Sequence, residues 1–377
     1  MATKRILLMY ITEISGHHSA TLAIEQALKL ISPQVKVLNI NAFHYTHPIS
    51  EKIVNHLYLN VVQKTPKIWD YLYDNPHVAR RLERMKKVLH RFNLSKLKRL
   101  FSDFKPQVVA CTQAFPCGMV ADYKKEFNSS LPLVAVLTDY IPHTYWIYDT
   151  VNYYICPSEE VAKRLNQKGV AQEKIKPFGI PFDPKFNLPL DKEKIKLNLG
   201  LDLNSKVILI MGGGHGLGPI KTILKYLEKL KKDFTIMVVA GSNHKLYKSL
   251  KEKIKKYKKK LLIFGFVDNI HELMAISDIL ITKPGGITVS EALAKKIPLV
   301  IIHPLPGQEV NNANYLVEKK AALKVDKVEE IGLVIDELLS QPEQLKNLAE
   351  AAERISKPNA SFEIAKLLLD LCALRDV

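Results

Sequence analysis

Short apolar runs rich in β-branched residues alternate with longer amphipathic stretches along this chain. Ile6–Ile11, Val35–Ile40, Val108–Thr112, Leu133–Leu137 and Tyr153–Cys156 form a first series. That alternation is the signature of βαβ units on a parallel sheet. The prolines and glycine of Pro177-Phe178-Gly179-Ile180-Pro181-Phe182-Asp183-Pro184 interrupt it. It restarts at Val207–Met211, Thr235–Ala240, Leu261–Phe264, Ile279–Thr282 and Leu299–His303. The pattern predicts two doubly wound α/β domains in tandem with a linker near residues 179–200. Ligands in such sheets sit beyond the carboxyl ends of the strands. The opening Met1-Ala2-Thr3-Lys4-Arg5 and Ile6–Ile11 superficially suggest a signal peptide, but the apolar run is short and no small-residue cleavage site follows. It reads as a first buried strand.

A length of 377 residues suits two domains of ordinary size. An apolar fraction of 47% and a charged fraction of 25% are those of a globular chain, and no stretch approaches the roughly 20 apolar residues of a bilayer span. Cys111, Cys117, Cys156 and Cys372 are scattered without zinc or redox spacing, which points to a reducing cytoplasm. The net charge of +17 draws the chain to polyanions: nucleic acid, an anionic membrane leaflet or phosphorylated substrates. Between Arg80 and Lys105 ten Lys or Arg face two acids, and Tyr58, Trp69, Tyr71 and Tyr73 precede them. Such a segment suits either an anionic membrane interface or a solvated helix with inward aromatics. A second run, Lys245 to Lys260, has nine lysines and one glutamate, and a solvated helix is expected there.

Two glycine turns carry candidate chemistry. Met211-Gly212-Gly213-Gly214-His215-Gly216-Leu217-Gly218 joins a strand to the amphipathic segment Ile220–Leu230, where backbone amides can approach a phosphate. Its spacing is neither a dinucleotide fingerprint nor a P-loop, which weakens hydride transfer and ATP hydrolysis. In Thr282-Lys283-Pro284-Gly285-Gly286-Ile287-Thr288-Val289-Ser290-Glu291, Thr288 or Ser290 is positioned to cap a helix. Glu291 is expected in that helix's first turn, where a carboxylate suits the two hydroxyls of a ribose or simply a helix N-terminus.

Gly265-Phe266-Val267-Asp268-Asn269, the Pro284-Gly285-Gly286 block and Pro306-Gly307-Gln308-Glu309-Val310-Asn311-Asn312 together resemble the diacylglycerol glycosyltransferases of glycosyltransferase family 28. The resemblance spans nearly the whole chain. It implies a GT-B fold, two Rossmann-like domains facing across a cleft, with residues 1–180 binding the acceptor and membrane and 181–377 the UDP-sugar; the last helix is expected to pack back on the first domain. It also implies that Phe266 lies against uracil, the Val267 backbone reads the base edge, and Glu291 holds the ribose. Gly285, Gly286, Ile287 and Thr288, with Gly213, Gly214, His215 and Gly216, would surround the diphosphate; Gln308, Glu309 and Asn312 would address sugar hydroxyls. No Asp-x-Asp motif occurs, so no metal and no tightly bound cofactor are expected. Helix dipoles and backbone amides would stabilise departing UDP.

On the acceptor side, Thr12-Glu13-Ile14-Ser15-Gly16-His17-His18 follows the first strand, and an imidazole there can take a proton from an attacking hydroxyl. The resemblance favours His17, although Ile14-Ser15 replaces the family's usual glycines. Leu137-Thr138-Asp139-Tyr140-Ile141-Pro142-His143-Thr144-Tyr145-Trp146 resembles the family's Thr-Asp-x-x-x-His-x-x-Trp block, making Asp139 and His143 further candidates for the base or its orientation. Trp146 would receive lipid or support the loop, and Gly179-Ile180-Pro181 matches the interdomain hinge. The implied reaction is inverting transfer of glucose or galactose from UDP-glucose or UDP-galactose to diacylglycerol or a glycolipid, by a protein on the inner face of the cell membrane, at an anionic surface. Rival readings are transfer of N-acetylglucosamine to a polyprenyl-diphosphate sugar, a UDP-sugar 2-epimerase, and a basic nucleic-acid-binding protein; no nucleic-acid recognition motif is visible and no nucleic-acid partner is expected.

Overall fold

The computed structural model describes residues 3–13, 15–46, 94–142 and 144–374. They fall into two compact units, one of residues 1–184, 306–308 and 359–377, the other of 185–305 and 309–358. Each unit contains a six-stranded sheet in which every pairing is parallel.

The first sheet comprises β1 (Arg5–Tyr10), β2 (Lys36–Asn41), β3 (Val108–Cys111), β4 (Leu133–Val136), β5 (Tyr153–Ile155) and β6 (Ile175–Lys176), in the order β2-β1-β3-β4-β5-β6. The second comprises β7 (Val207–Met211), β8 (Thr235–Val239), β9 (Leu261–Phe264), β10 (Ile279–Thr282), β11 (Leu299–Ile302) and β12 (Ala322–Val325), in the order β12-β11-β10-β7-β8-β9. Ten of these strands match the apolar runs, with no end shifted by more than one residue. The other two, β6 and β12, left no such signal. A two-residue strand is too short for a pattern, and β12 is an edge strand whose Lys324 is exposed.

Continuous apolar strands are needed because helices cover both faces of a doubly wound sheet. In β1, Leu7 and Met9 enter one core with Val109, Leu133 and Ala135, whereas Ile6 and Leu8 enter another with Val108, Ala110 and Val134. The opening run is thus a central buried strand. The second core is closed by the helix Gly16–Ile31 through Ile24 and Leu28, and by the helix Ala360–Ala373 through Ile364, Ala365, Leu368 and Cys372. The chain's last described helix therefore builds the unit that contains its first strand. Ser361 fixes the segment after Gly179: its hydroxyl accepts from the Phe182 N–H at 3.0 Å and donates to the Phe182 carbonyl at 2.6 Å. All four cysteines are buried thiols.

Of the basic stretches, residues 80–93 lie outside the described residues, as do Tyr58, Trp69, Tyr71 and Tyr73. The chain is helical at 94–104, with Lys96, Lys98 and Arg99 exposed and Leu97, Leu100 and Phe101 buried. The second run forms the helix His244–Glu252 and a 3-10 turn, Ile254–Lys256. Leu246 and Leu250 face inward, leaving Lys248 and Lys251 on the outer side. No described helix is long and apolar enough to cross a membrane.

Candidate functional site

In a doubly wound sheet, the crevice forms where successive crossovers turn in opposite directions. In the second unit β7 leads to β8 and β9 on one side, and β10 to β11 and β12 on the other, so this point lies between β7 and β10. The two glycine turns predicted from the sequence are the loops that leave these strands. The β7 loop is locked onto the one after β8. The Ser242 N–H and hydroxyl both donate to the Gly214 carbonyl, at 2.8 and 3.1 Å, and the Asn243 amide donates to the Gly216 carbonyl at 3.2 Å. A Cβ on Gly216 would come within 2.0 Å of the Ala240 carbonyl oxygen, and one on Gly241 within 2.3 Å of the Gly214 oxygen. Both glycines also have positive φ, 57° in each case, so side chains are doubly excluded. His215 stands half-buried with Nδ1 3.4 Å from the Ser242 hydroxyl. Ser242 and Asn243 were not singled out in the sequence; the Gly-Ser-Asn turn after β8 was their only signal.

A cavity of about 400 Å³ borders this loop on its β8 side, between Gly216, Pro219, Asn243 and Lys245. It is distinct from the β7–β10 crevice, which Lys283 adjoins.

The turn after β10 departs from the predicted capping. Gly285 is the N-cap of the helix Gly286–Ala294, and no side chain caps it. The Ser290 hydroxyl instead donates back to the Gly286 carbonyl at 2.9 Å, a choice open to a serine inside a helix. The amides of Gly286, Ile287 and Thr288 thus have no side-chain cap, at the end of a helix dipole that favours anions. Glu291 falls in the second turn, one turn later than predicted. Helical spacing still sets it on the half-buried face of Ile287 and Thr288, while Val289, Ala292 and Leu293 are buried.

The other candidates of this series vary in exposure. Phe266, beyond β9, is 73% exposed, an aromatic face left to solvent, and Val267 is half-buried. Gln308 opens the helix Gln308–Glu318 and is half-buried. Glu309 accepts from the Lys283 ammonium at 2.5 Å and from the Leu305 N–H at 2.9 Å. Asn312 is fully buried, its amide donating to the Pro284 carbonyl at 3.0 Å. A fully buried amide bonded to the loop backbone is placed to hold the Pro284-Gly285 turn rather than to meet a sugar.

In the first unit the reversal lies between β1 and β3, and His17 sits there. Thr12 enters the turn at φ 70°, rare for a β-branched residue, and Ser15 donates to its carbonyl at 2.6 Å. Ser15 also caps the helix by accepting from the His18 N–H. His17 Nδ1 lies 2.8 Å from the Thr112 carbonyl, beyond β3, and 3.0 Å from the Thr138 hydroxyl, beyond β4. A carbonyl only accepts, so Nδ1 carries the proton of the neutral ring and Nε2 keeps a lone pair. Burial lowers the His17 pKa to about 4, against a smaller upward pull from the Thr112 carbonyl. The ring is therefore neutral at pH 7, as a proton acceptor must be. His18 turns elsewhere: it stacks on Tyr10 at 4.1 Å, and its Nδ1 lies 2.6 Å from the Glu13 carbonyl. Asp139 is half-buried next to Thr138; His143 lies outside the described residues. Trp146 is 4% exposed and belongs to the core, which gives it the supporting role.

The model of the monogalactosyldiacylglycerol (MGDG) synthase family matches residues 17–182, and that of the glycosyltransferase family 28 C-terminal domain matches residues 207–367. The chain is 30% identical over 372 residues to the processive diacylglycerol beta-glucosyltransferase of Bacillus subtilis (strain 168), covering 97% of this chain and 95% of that protein. It is 32% identical over 362 residues to the protein of the same name in Bacillus cereus (strain AH187), covering 94% and 90%. The chain belongs to the diacylglycerol glycosyltransferases of family 28. Among solved structures, MurG of Acinetobacter baumannii aligns with a TM-score of 0.66 at 15% identity, over 97% of this chain and 99% of that one. UDP-GlcNAc 2-epimerase of Neisseria meningitidis, bound to UDP-GlcNAc, aligns at 0.62 and 16% identity, over 97% and 100%. These likenesses bear on the fold, which is GT-B as the family implies. Within the family, the MGDG synthase match begins at His17 itself and the family 28 match covers both glycine turns.

Proposed function

We propose that the chain transfers glucose from UDP-glucose to the free hydroxyl of diacylglycerol, inverting the anomeric carbon to give a β-glucolipid. The family membership supports sugar transfer, and the Bacillus relatives, which are diacylglycerol beta-glucosyltransferases, support glucose and the β-linkage. The observation that carries the chemistry is the neutral His17 ring at the β1/β3 crevice, with its Nδ1 proton tied to Thr112. Nε2 takes the proton of the acceptor hydroxyl as that oxygen bonds to the anomeric carbon. The carbon–phosphate oxygen bond breaks on the opposite face, and its electron pair leaves with UDP. Asp139, and His143 with it, would orient the base. The uncapped amides of Gly286, Ile287 and Thr288 would receive the diphosphate together with the Gly213–Gly216 loop. Glu291 would accept the ribose hydroxyls, and Phe266 would cover the uracil. Gln308 and Glu309 would address the sugar, with Asn312 bracing the turn beneath it. The net charge of +17 would hold the protein at an anionic membrane surface.

Mass spectrometry of lipids after incubation with diacylglycerol vesicles and UDP-glucose or UDP-galactose tests this reading. A hexosyl-diacylglycerol formed preferentially from UDP-glucose is expected. Isomerisation of the UDP-sugar without acceptor, and no glycolipid, would replace transfer by epimerase chemistry.

A further inference from the structure

Lys283 directly follows β10 and opens the second glycine turn. Its aliphatic end lies against the β7 loop: a Cβ on Gly213 would sit 3.1 Å from Lys283 Cε and 3.8 Å from Nζ. The ammonium is thus at the crevice between β7 and β10, where both glycine turns begin. Its side chain is 19% exposed and that of Glu309 is 12% exposed, so the pair is largely withdrawn from water. Among the described residues Glu309 is the one hydrogen-bond partner of the Lys283 ammonium. An ammonium has three N–H donors, so two remain, beside a loop with the shape of a phosphate cradle. Glu309 uses one acceptor site on each oxygen, toward Lys283 and the Leu305 N–H, which leaves lone pairs on both.

We infer that Lys283 is a donor-binding residue that takes the diphosphate of the nucleotide sugar with its two remaining N–H groups, while its bond to Glu309 joins phosphate recognition to sugar recognition. This rests on the UDP-sugar reading above. A helix terminus and backbone amides supply only partial charges. Lys283 adds a full positive charge where negative charge grows as UDP departs. The paired carboxylate keeps that cation neutralised while the site is empty and competes with the diphosphate for it. The two partners therefore have opposite effects on UDP: removing Lys283 weakens binding, and neutralising Glu309 strengthens it.

Calorimetric titrations of the full chain with UDP and with uridine test the inference, because uridine has the base and ribose but no phosphate. Lys283→Met is expected to weaken UDP binding about 10- to 100-fold and to leave uridine binding unchanged. Lys283→Arg, which keeps the charge, should recover a large part of the loss. Glu309→Gln should bind UDP at least as tightly as the wild type while raising KM for UDP-glucose. Unchanged UDP affinity in Lys283→Met overturns the inference. A parallel loss of uridine affinity also overturns it, by showing a collapsed loop. If the wild-type protein binds neither ligand, the donor reading itself fails and the inference with it. Normal wild-type UDP binding with an unaffected Lys283→Met removes the lysine's role alone.

Discussion

At the residue scale, His17 owes its chemistry to neighbours remote in sequence. Thr112 and Thr138 fix its orientation and protonation, and burial keeps it neutral. His17→Ala is expected to lower kcat by about 100- to 10,000-fold, the usual contribution of a general base, with UDP affinity by titration nearly unchanged. Equal turnover would dismiss the histidine as base. The folded pKa of about 4 lies below the ordinary 6.5. Between those values the unfolded chain binds more protons at this position than the folded one, so the contribution of His17 to stability falls as pH drops through that window and is level above it. In catalysis the same shift places the acidic limb of kcat/KM from His17 near pH 4; a limb at the free-imidazole value, absent in His17→Ala, would contradict the buried geometry. Glu291→Ala should weaken UDP and uridine alike, by roughly 10-fold for lost charged hydrogen bonds, and an unchanged affinity for both would remove it from the ribose.

At the element scale, the phosphate turns are shaped by buried contacts beneath them. Asn312→Ala leaves the Pro284 carbonyl without its buried donor, at about 1–3 kcal/mol in stability. The expected outcome is a lower Tm with a raised KM for the donor; a changed Tm with unaltered donor kinetics would separate Asn312 from the site. Gly216→Ala forces a Cβ against the Ala240 carbonyl and should displace the β7 loop, read as loss of UDP binding. The capping of the β10 helix shows why such details escape a sequence pattern. Thr288 and Ser290 have the right chemistry for caps, but the helix starts at Gly286 and consumes both inside it. The hydrogen bond from Asn312, 28 residues away, ties down the turn that leads into that helix.

At the scale of the whole molecule, chain order and spatial order diverge at the C-terminal helix. Ile364, Ala365 and Leu368 pack with Ile6, Leu8 and Ile24, so removal of residues 359–377 would strip one face of the first sheet. Leu368→Ala is expected to cost about 2–5 kcal/mol by denaturant unfolding, with the loss read in the first unit. Charge acts at the same scale. A net +17 predicts binding to vesicles of anionic lipid that weakens as salt rises, with neutral vesicles much less retained; salt-independent partitioning would assign the attachment to apolar contacts instead.

The sequence by itself determined the architecture, because strands buried on both faces must be written as continuous apolar runs and helices between them as amphipathic ones. It also located both glycine turns and the His17 turn, since chain reversals at strand ends require residues that tolerate unusual backbone angles or cap a helix. It could not show β6 and β12, which are too short or too exposed to carry a pattern. Tertiary structure alone decided that the Gly286 helix would start uncapped, that Asn312 would be buried under its turn, and that Lys283 would stand between Gly213 and Glu309. The protonation of His17 belongs with these. Such properties depend on distances between residues far apart in the chain and on water excluded from around them, and local sequence encodes neither.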